Sequence, residues 1–392
     1  MSRTALELAG IFRQYGPAYR QAHSMPVHHH KLMRAIETCR TAALGGHVDQ
    51  CSQCQHTRVS YNSCRNRHCP KCQGKQRSQW LEQRKTELLP IEYFHVVFTM
   101  PAQAAALAYQ NKAVVYGLLF RAAAETLLTI ARDPKHLGAE IGFFAILHTW
   151  GQNLHHHPHL HCVVSGGGLS AGYDRFIRCR RGFFLPVRVL SGLFRRLFLE
   201  ALQRAFDQRK LRFFSELEPL RDPQAFARYL QPLRSCQWVV YAKPPFGGPE
   251  AVLAYLARYT HRVAISNQRL QSMDNDQVTF QWKDYQHHNR VRNLTIGADE
   301  FIRRFLQHAL PTGFQRIRHY GFLANAHRRE KLDLCRKLLA MDPTGLLPLL
   351  IAAAPLPPAP VDDSALRCPV CRVGVMMRIQ LLPRQAVRLG SS

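Results

Sequence analysis

Residues 143–164 read FFAILHTWGQNLHHHPHLHCVV. Two apolar runs, Phe143–Leu147 and Leu160–Val164, flank a polar Gly-Gln-Asn segment. β-Formers on both sides of a turn-prone centre predict a β-hairpin. Side chains at i, i+2 and i+4 of a strand share one face. His157, His159 and His161 therefore point one way, and Cys162 and Val164 the other. A turn centred near Asn153 and Leu154 sets His148 opposite His159, with cross-strand Cβ atoms about 5 Å apart. Three or four imidazoles on one patch of sheet can form a divalent-metal site. The plainer alternative is a solvated histidine-rich turn. Pro158 cannot donate to a ladder and belongs at an edge or strand start.

The composition limits the function classes. The chain has 392 residues, and its 46% hydrophobic content is enough for sizeable cores. Lys and Arg total 53 against 26 Asp and Glu, a formal charge of +27 that repels itself unless a polyanion neutralises it. Nucleic acid is the first candidate and an anionic membrane surface the second. No apolar run approaches the ~20 residues of a membrane span. The start, MSRTALELAGIFRQYG, lacks the basic segment and long apolar core of a signal peptide. The expected place is the bacterial cytoplasm, on the nucleoid.

Twelve cysteines in a secreted chain would suggest disulfides, but here they gather in C-x-x-C pairs. Reduced thiols and metal are the better account. Cys51-Ser-Gln-Cys54 and Cys69-Pro-Lys-Cys72 predict one tetrahedral Zn²⁺ site, closed to substrate. Metal then replaces the core that a module of ~40 residues cannot build. Cys39, His47, Cys64 and His68 have the composition of a second zinc site. Cys368-Pro-Val-Cys371 supplies two sulfurs, half of what a zinc site needs.

Elsewhere the reading is coarser. His28–His30 reads as solvated, residues 77–90 and 102–131 as helices, and Tyr93–Thr99 as a strand. Gly166–Gly168 is expected to break the second hairpin strand; no Gly-Lys-Ser/Thr follows, so it is not a phosphate loop. Residues 249–259, PEAVLAYLARY, read as a helix with Tyr255 and Tyr259 on one face. On spacing alone the two tyrosines are equally an ordinary core stripe. GFQRIRHYGFLAN, residues 313–325, mixes aromatics with cations, which suits stacking on a single strand. APLPPAP reads as a linker.

Three blocks together, CSQC…SCRNRHCPKCQ, HTWGQNLHHHPHLHCVV and AYLARYTHRVAISN, resemble the insertion-sequence-91 family of bacterial transposases, within the HUH superfamily of single-strand nucleases. The resemblance runs from about residue 20 to about residue 330. It implies that His159-Leu160-His161 holds a divalent ion, Mg²⁺ or Mn²⁺, with a third polar ligand for which the hairpin geometry favours His148 and, behind it, His157, and that Tyr255 and Tyr259 are the nucleophiles. It also implies an N-terminal zinc-binding domain at Cys51, Cys54, Cys69 and Cys72.

The expected fold is α+β: an HUH domain with a central antiparallel sheet flanked by helices, behind a zinc-ribbon-like domain. Four segments are expected: a basic helical arm (1–35), the zinc domain (36–90), the nuclease (91–325) and a tail (326–392). The expected partners are single-stranded DNA at transposon ends and target DNA. A phenol of ordinary pKa near 10 attacks a phosphate poorly unless the target is polarised or its proton is accepted nearby. A plasmid replication initiator or relaxase shares this chemistry. A zinc-ribbon DNA-binding regulator, whose histidines only stabilise the sheet, is the non-enzymatic alternative.

Overall fold

The computed structural model describes residues 6–180, 182, 184–243, 251–252, 255, 263–284, 287, 290–341 and 367–385. Tyr259 and the APLPPAP linker lie outside them. Helices and antiparallel sheets coexist, so the fold is α+β. The chain forms two compact units: Met1–Gln76 with Ile265–Leu306 and Pro348–Ser392, and Arg77–Ala264 with Gln307–Leu347.

The first unit opens with helices α1 (Leu8–Ala22) and α2 (Val27–Glu37). The solvated reading of His28–His30 holds for the exposed His30 and is corrected for its neighbours: the run lies in the first turn of α2, with His28 half-buried and His29 buried. Strands β1 (Gly46–Cys51) and β2 (Thr57–Tyr61) follow. The chain then enters helix α3 (Gln73–Lys85).

The second unit holds β3 (Tyr93–Thr99), α4 (Ala105–Gln110), α5 (Lys112–Arg132), β4 (Glu140–Trp150), β5 (His156–Leu169) and β6 (Phe176–Arg178). Helices α6 (Val187–Asp207) and α7 (Pro223–Ser235) and strand β7 (Val240–Lys243) come next. Asp222 caps α7 by accepting from the Ala225 N–H at 2.8 Å, and Pro223 starts the helix where no N–H is needed.

The first unit then adds β8 (Leu270–Asp274), β9 (Gln277–Asp284), β10 (Arg290–Gly297) and α8 (Ala298–Gln307). Phe305 of α8 meets Phe12 of α1 edge to face, ring centroids 5.4 Å apart. The second unit ends with β11 (Ile317–Gly321) and α9 (Arg328–Ala340). Strand β12 (Met376–Leu382) returns to the first unit as the neighbour of β1, in the order β12-β1-β2.

The large sheet of the second unit has the order β11-β4-β5-β3-β7, with β6 against β5. Both faces are buried. Phe94, Val96, Phe98, Ala145, Leu147, Leu160, Cys162 and Val164 face α5 and α6 in one apolar cluster. By length and composition α5 could cross a membrane, yet Leu118, Leu119, Phe120 and Leu127 are wholly inside that cluster. Its apolarity serves a protein core. On the other face Phe144, Ile146 and Val163 join Val252, Tyr255, Phe322 and Leu332.

The glycine run does not break β5, contrary to the expectation; the strand continues through Leu169. A Cβ at Gly166 would come within 2.8 Å of the Glu92 carbonyl oxygen, and one at Gly168 would overlap that of Glu140. The glycines let three backbones approach closely. The segment 313–325 is likewise spent on packing. Tyr320 stacks on Phe143 at 5.0 Å, Arg318 lies over Phe120 at 4.3 Å, and Phe322 is buried.

The second unit also buries neutral imidazoles. His156 accepts from the Tyr116 hydroxyl at 2.7 Å, and burial pushes its pKa down to about 3, with Lys112 adding to the effect. Burial, then His156, lowers His308 to about 3, and burial with Arg84 and Arg328 lowers His319 to about 4. The unfolded chain therefore binds protons that the folded one refuses below about pH 6.5. Stability is expected to be full above that pH and to fall steadily as pH descends toward 3–4. Thermal unfolding between pH 8 and 4 checks this. The double substitution His156→Gln, His308→Gln should flatten the decline; an unchanged slope would remove these groups as its source.

Candidate functional site

The register of the large sheet builds the site. His148 of β4 pairs with His159 of β5, as a turn near Asn153 and Leu154 requires, and Leu154 takes a positive φ of 63° there. His159 pairs onward with Thr99 of β3, and His161 lies between Ile146 and Val97. Residues paired across antiparallel strands share a face. His148, His159 and His161 thus project together onto the face that carries Phe144, Ile146 and Val163.

Each of these three imidazoles offers a nitrogen within 4.8 Å of the other two. His159 Nε2 is 3.1 Å from His161 Nε2. Two nitrogens each ~2.1 Å from one ion, at a right angle, stand about 3 Å apart. His159 Nδ1 lies 2.7 Å from the His157 carbonyl oxygen, to which it donates. That bond selects the tautomer with a bare Nε2 turned to the site. The donor set therefore fits a divalent cation. His157 contributes its backbone; its ring stays outside the group.

His95 is a residue that sequence reasoning passed over. It sits in the middle of β3, opposite Val163 on one side and Lys243 on the other. Its ring stacks on His161 at 5.1 Å, with His95 Nε2 2.9 Å from His161 Nδ1. Burial first, then Lys243 and His159, lower its pKa to about 3, so it is neutral. The one available signal was a lone imidazole among apolar residues in YFHVVFT. Its neighbours only emerge from the pairing of β3 with β5.

Ala251, Val252 and Tyr255 are helical, and Val252 and Tyr255 are buried on the histidine face. The Tyr255 hydroxyl is 2.6 Å from His95 Nε2 and 3.4 Å from His161 Nδ1. Phenol and imidazoles thus meet within the second unit, although 94 residues separate Tyr255 from His161.

In the first unit the cysteines group differently from the expectation. Cys69 and Cys72 stand with Cys39 and Cys64; Cys51 and Cys54 stand with Cys368 and Cys371. The foursome Cys51, Cys54, Cys69 and Cys72 is therefore divided, because β1 carries its knuckle toward β12 and away from residues 69–72. Of the second expected set, Cys39 and Cys64 remain. His47 turns its Nε2 to the Asp49 carboxylate at 3.4 Å, and His68 lies outside the sulfur cluster.

Cys72 Sγ is 3.5 Å from both Cys39 Sγ and Cys64 Sγ. Hydrogen bonding among these sulfurs, from Cys64 first and then Cys69, pulls the Cys39 thiol down to about 2, while the bond to Cys39 raises Cys64 to about 12. Crowded thiols of this kind compete for protons that a metal can replace. Four sulfurs suit Zn²⁺ in a closed structural site.

Comparison with known proteins agrees. Residues 11–100 match the family described as transposase zinc-binding domain, and residues 142–331 the family described as putative transposase. The putative transposase y4qJ of Sinorhizobium fredii (strain NBRC 101917 / NGR234) is 58% identical over 97% of this chain and 96% of its own length. The transposase for insertion sequence element IS801 of Pseudomonas savastanoi pv. phaseolicola is 27% identical over 85% of this chain and 79% of its own. No solved structure matches. The zinc-binding and transposase matches, with 58% identity over nearly the whole length of a putative transposase, show that the chain belongs to the insertion-sequence-91 family of transposases.

Proposed function

We propose that this transposase nicks and rejoins single-stranded transposon ends on the bacterial nucleoid through 5′-phosphotyrosine intermediates. Tyr255 and Tyr259 are the nucleophiles in this reading, and His148, His159 and His161 hold Mg²⁺ or Mn²⁺. The observation that carries it is the Tyr255 hydroxyl lying among His95 and His161 on the face that presents the three histidines.

His148, His159 and His161 would hold the divalent cation, which when bound would supply Lewis-acid polarisation of the scissile phosphate. The chain's own residues do the rest. The Tyr255 oxygen attacks phosphorus, a new O–P bond forms and the bond to the 3′-oxygen breaks. The phenolic proton has a neutral acceptor at hand in His95. The departing 3′-oxygen takes a proton from solvent and becomes a free hydroxyl. The phosphoester is conserved, so rejoining needs no ATP. In this reading Tyr259, four residues on in sequence, acts on a second strand while Tyr255 holds the first.

An unpaired strand is required, because a duplex cannot bring its backbone between a helix and a sheet without melting. The excess of 53 cationic over 26 anionic residues supplies affinity that should fall steeply with salt. The test is incubation with a labelled single-stranded oligonucleotide and Mg²⁺ or Mn²⁺, then mass spectrometry of protease digests. A DNA-linked peptide containing Tyr255 or Tyr259 is expected. A DNA-linked peptide bearing neither tyrosine, or no linked species under conditions that support transposition, sinks the scheme.

A further inference from the structure

The zinc-binding match stops at residue 100, but two clustered cysteines lie near the other end of the chain. Cys51-Ser-Gln-Cys54 and Cys368-Pro-Val-Cys371 are knuckles of one build. The Gln53 N–H donates to Cys51 Sγ at 3.4 Å, and the Val370 N–H donates to Cys368 Sγ at 3.4 Å. A third amide, of Gly374, donates to Cys371 Sγ at 3.3 Å. Amides aimed at sulfur stabilise thiolates, the form that binds metal.

The two knuckles are locked together by backbone. Strand β12 pairs along β1 from Gly46↔Leu382 to Cys51↔Met376. The Ser52 N–H donates to the Val375 carbonyl at 3.0 Å, and the Val375 N–H donates to Ser52 Oγ at 3.1 Å. Cys51 Sγ stands 3.6 Å from Cys371 Sγ, and Cys54 Sγ 3.6 Å from Cys368 Sγ. That is too far for a disulfide of about 2.05 Å. It is close to the ~3.8 Å edge of a tetrahedron whose arms are ~2.3 Å. Gly374 is fitted to the cluster as well, since a Cβ there would overlap Cys51 Sγ.

We propose that Cys51, Cys54, Cys368 and Cys371 hold a second Zn²⁺, which clasps the C-terminal strand to the N-terminal ribbon. The zinc-binding domain is then completed only by the end of the chain. The apolar cluster at this point comprises Cys51, Cys368 and Met376, with Cys371 against it, too little to hold three strands alone. The ion bridges residues 314 and 320 positions apart, and joins β12 to what is otherwise an open edge of β1.

The test counts metal and maps thiols on the full chain. Elemental analysis is expected to find two zinc ions per chain, and one in the Cys368→Ser, Cys371→Ser variant. Two ions in that variant, or one in the unaltered protein, overturns the proposal. Alkylation of the unaltered protein needs no substitution. Cys51, Cys54, Cys368 and Cys371 should resist iodoacetamide and become reactive together when a chelator is added. Labelling of Cys368 and Cys371 as fast as the half-buried Cys179, while Cys69 and Cys72 stay protected, also overturns it.

Discussion

The Tyr255→Phe, Tyr259→Phe double variant is expected to form no covalent DNA adduct and to lose strand cleavage by on the order of 10⁴-fold or more, the scale on which nucleophile removal acts. Each single variant should keep partial activity, because one of the two phenols remains as nucleophile. Folding should survive. Tyr255 is buried, yet Phe keeps the ring that fills the space beside Val252, Ile146 and Val163 and removes only the hydroxyl near His95. Adducts are read as a shift of labelled oligonucleotide on a denaturing gel, reversed by protease. Adducts retained by the double variant would falsify the nucleophile assignment.

The His159→Ala, His161→Ala variant should lose nicking while still binding single-stranded DNA. Two of three convergent nitrogens vanish, and the remaining His148 cannot retain a divalent ion alone. The loss should exceed the ~100-fold that even an outer partner of a metal ligand can cost. Affinity should change little, because it comes from Lys and Arg spread over the chain and keeps its salt dependence. The check pairs a cleavage assay with a binding assay, each with and without chelator. A variant that still nicks in chelator removes the metal from the scheme; one that cannot bind DNA shows that the histidines serve affinity.

The hairpin was legible because it is written in local terms. Period-two alternation and a turn at Asn153–Leu154 dictate which side chains share a face, and the pairing of His148 with His159 follows from the turn position alone. The glycine run misled for a local reason too. Gly166–Gly168 reads as a break, but close approach to Glu92 and Glu140 turns the same residues into a continued strand. The aromatics of residues 313–325 had the composition of a stacking surface, and β11 spends them on the core beside Phe143 and Phe120.

From composition and spacing alone came the class of partner, the presence of thiolate zinc chemistry and the histidine-bearing strand. These depend on charge, on residue type and on neighbours within a few positions. Tertiary structure decided the groupings that span the chain: His95 beside His161 and Tyr255, and Cys51 and Cys54 with Cys368 and Cys371 instead of Cys69 and Cys72. A C-x-x-C pair states what it can bind but not which other pair completes it, because sulfur carries no address. Strand pairing supplies that address: β12 lies against β1, and so brings the far end of the chain to a metal site whose first half lies near its beginning.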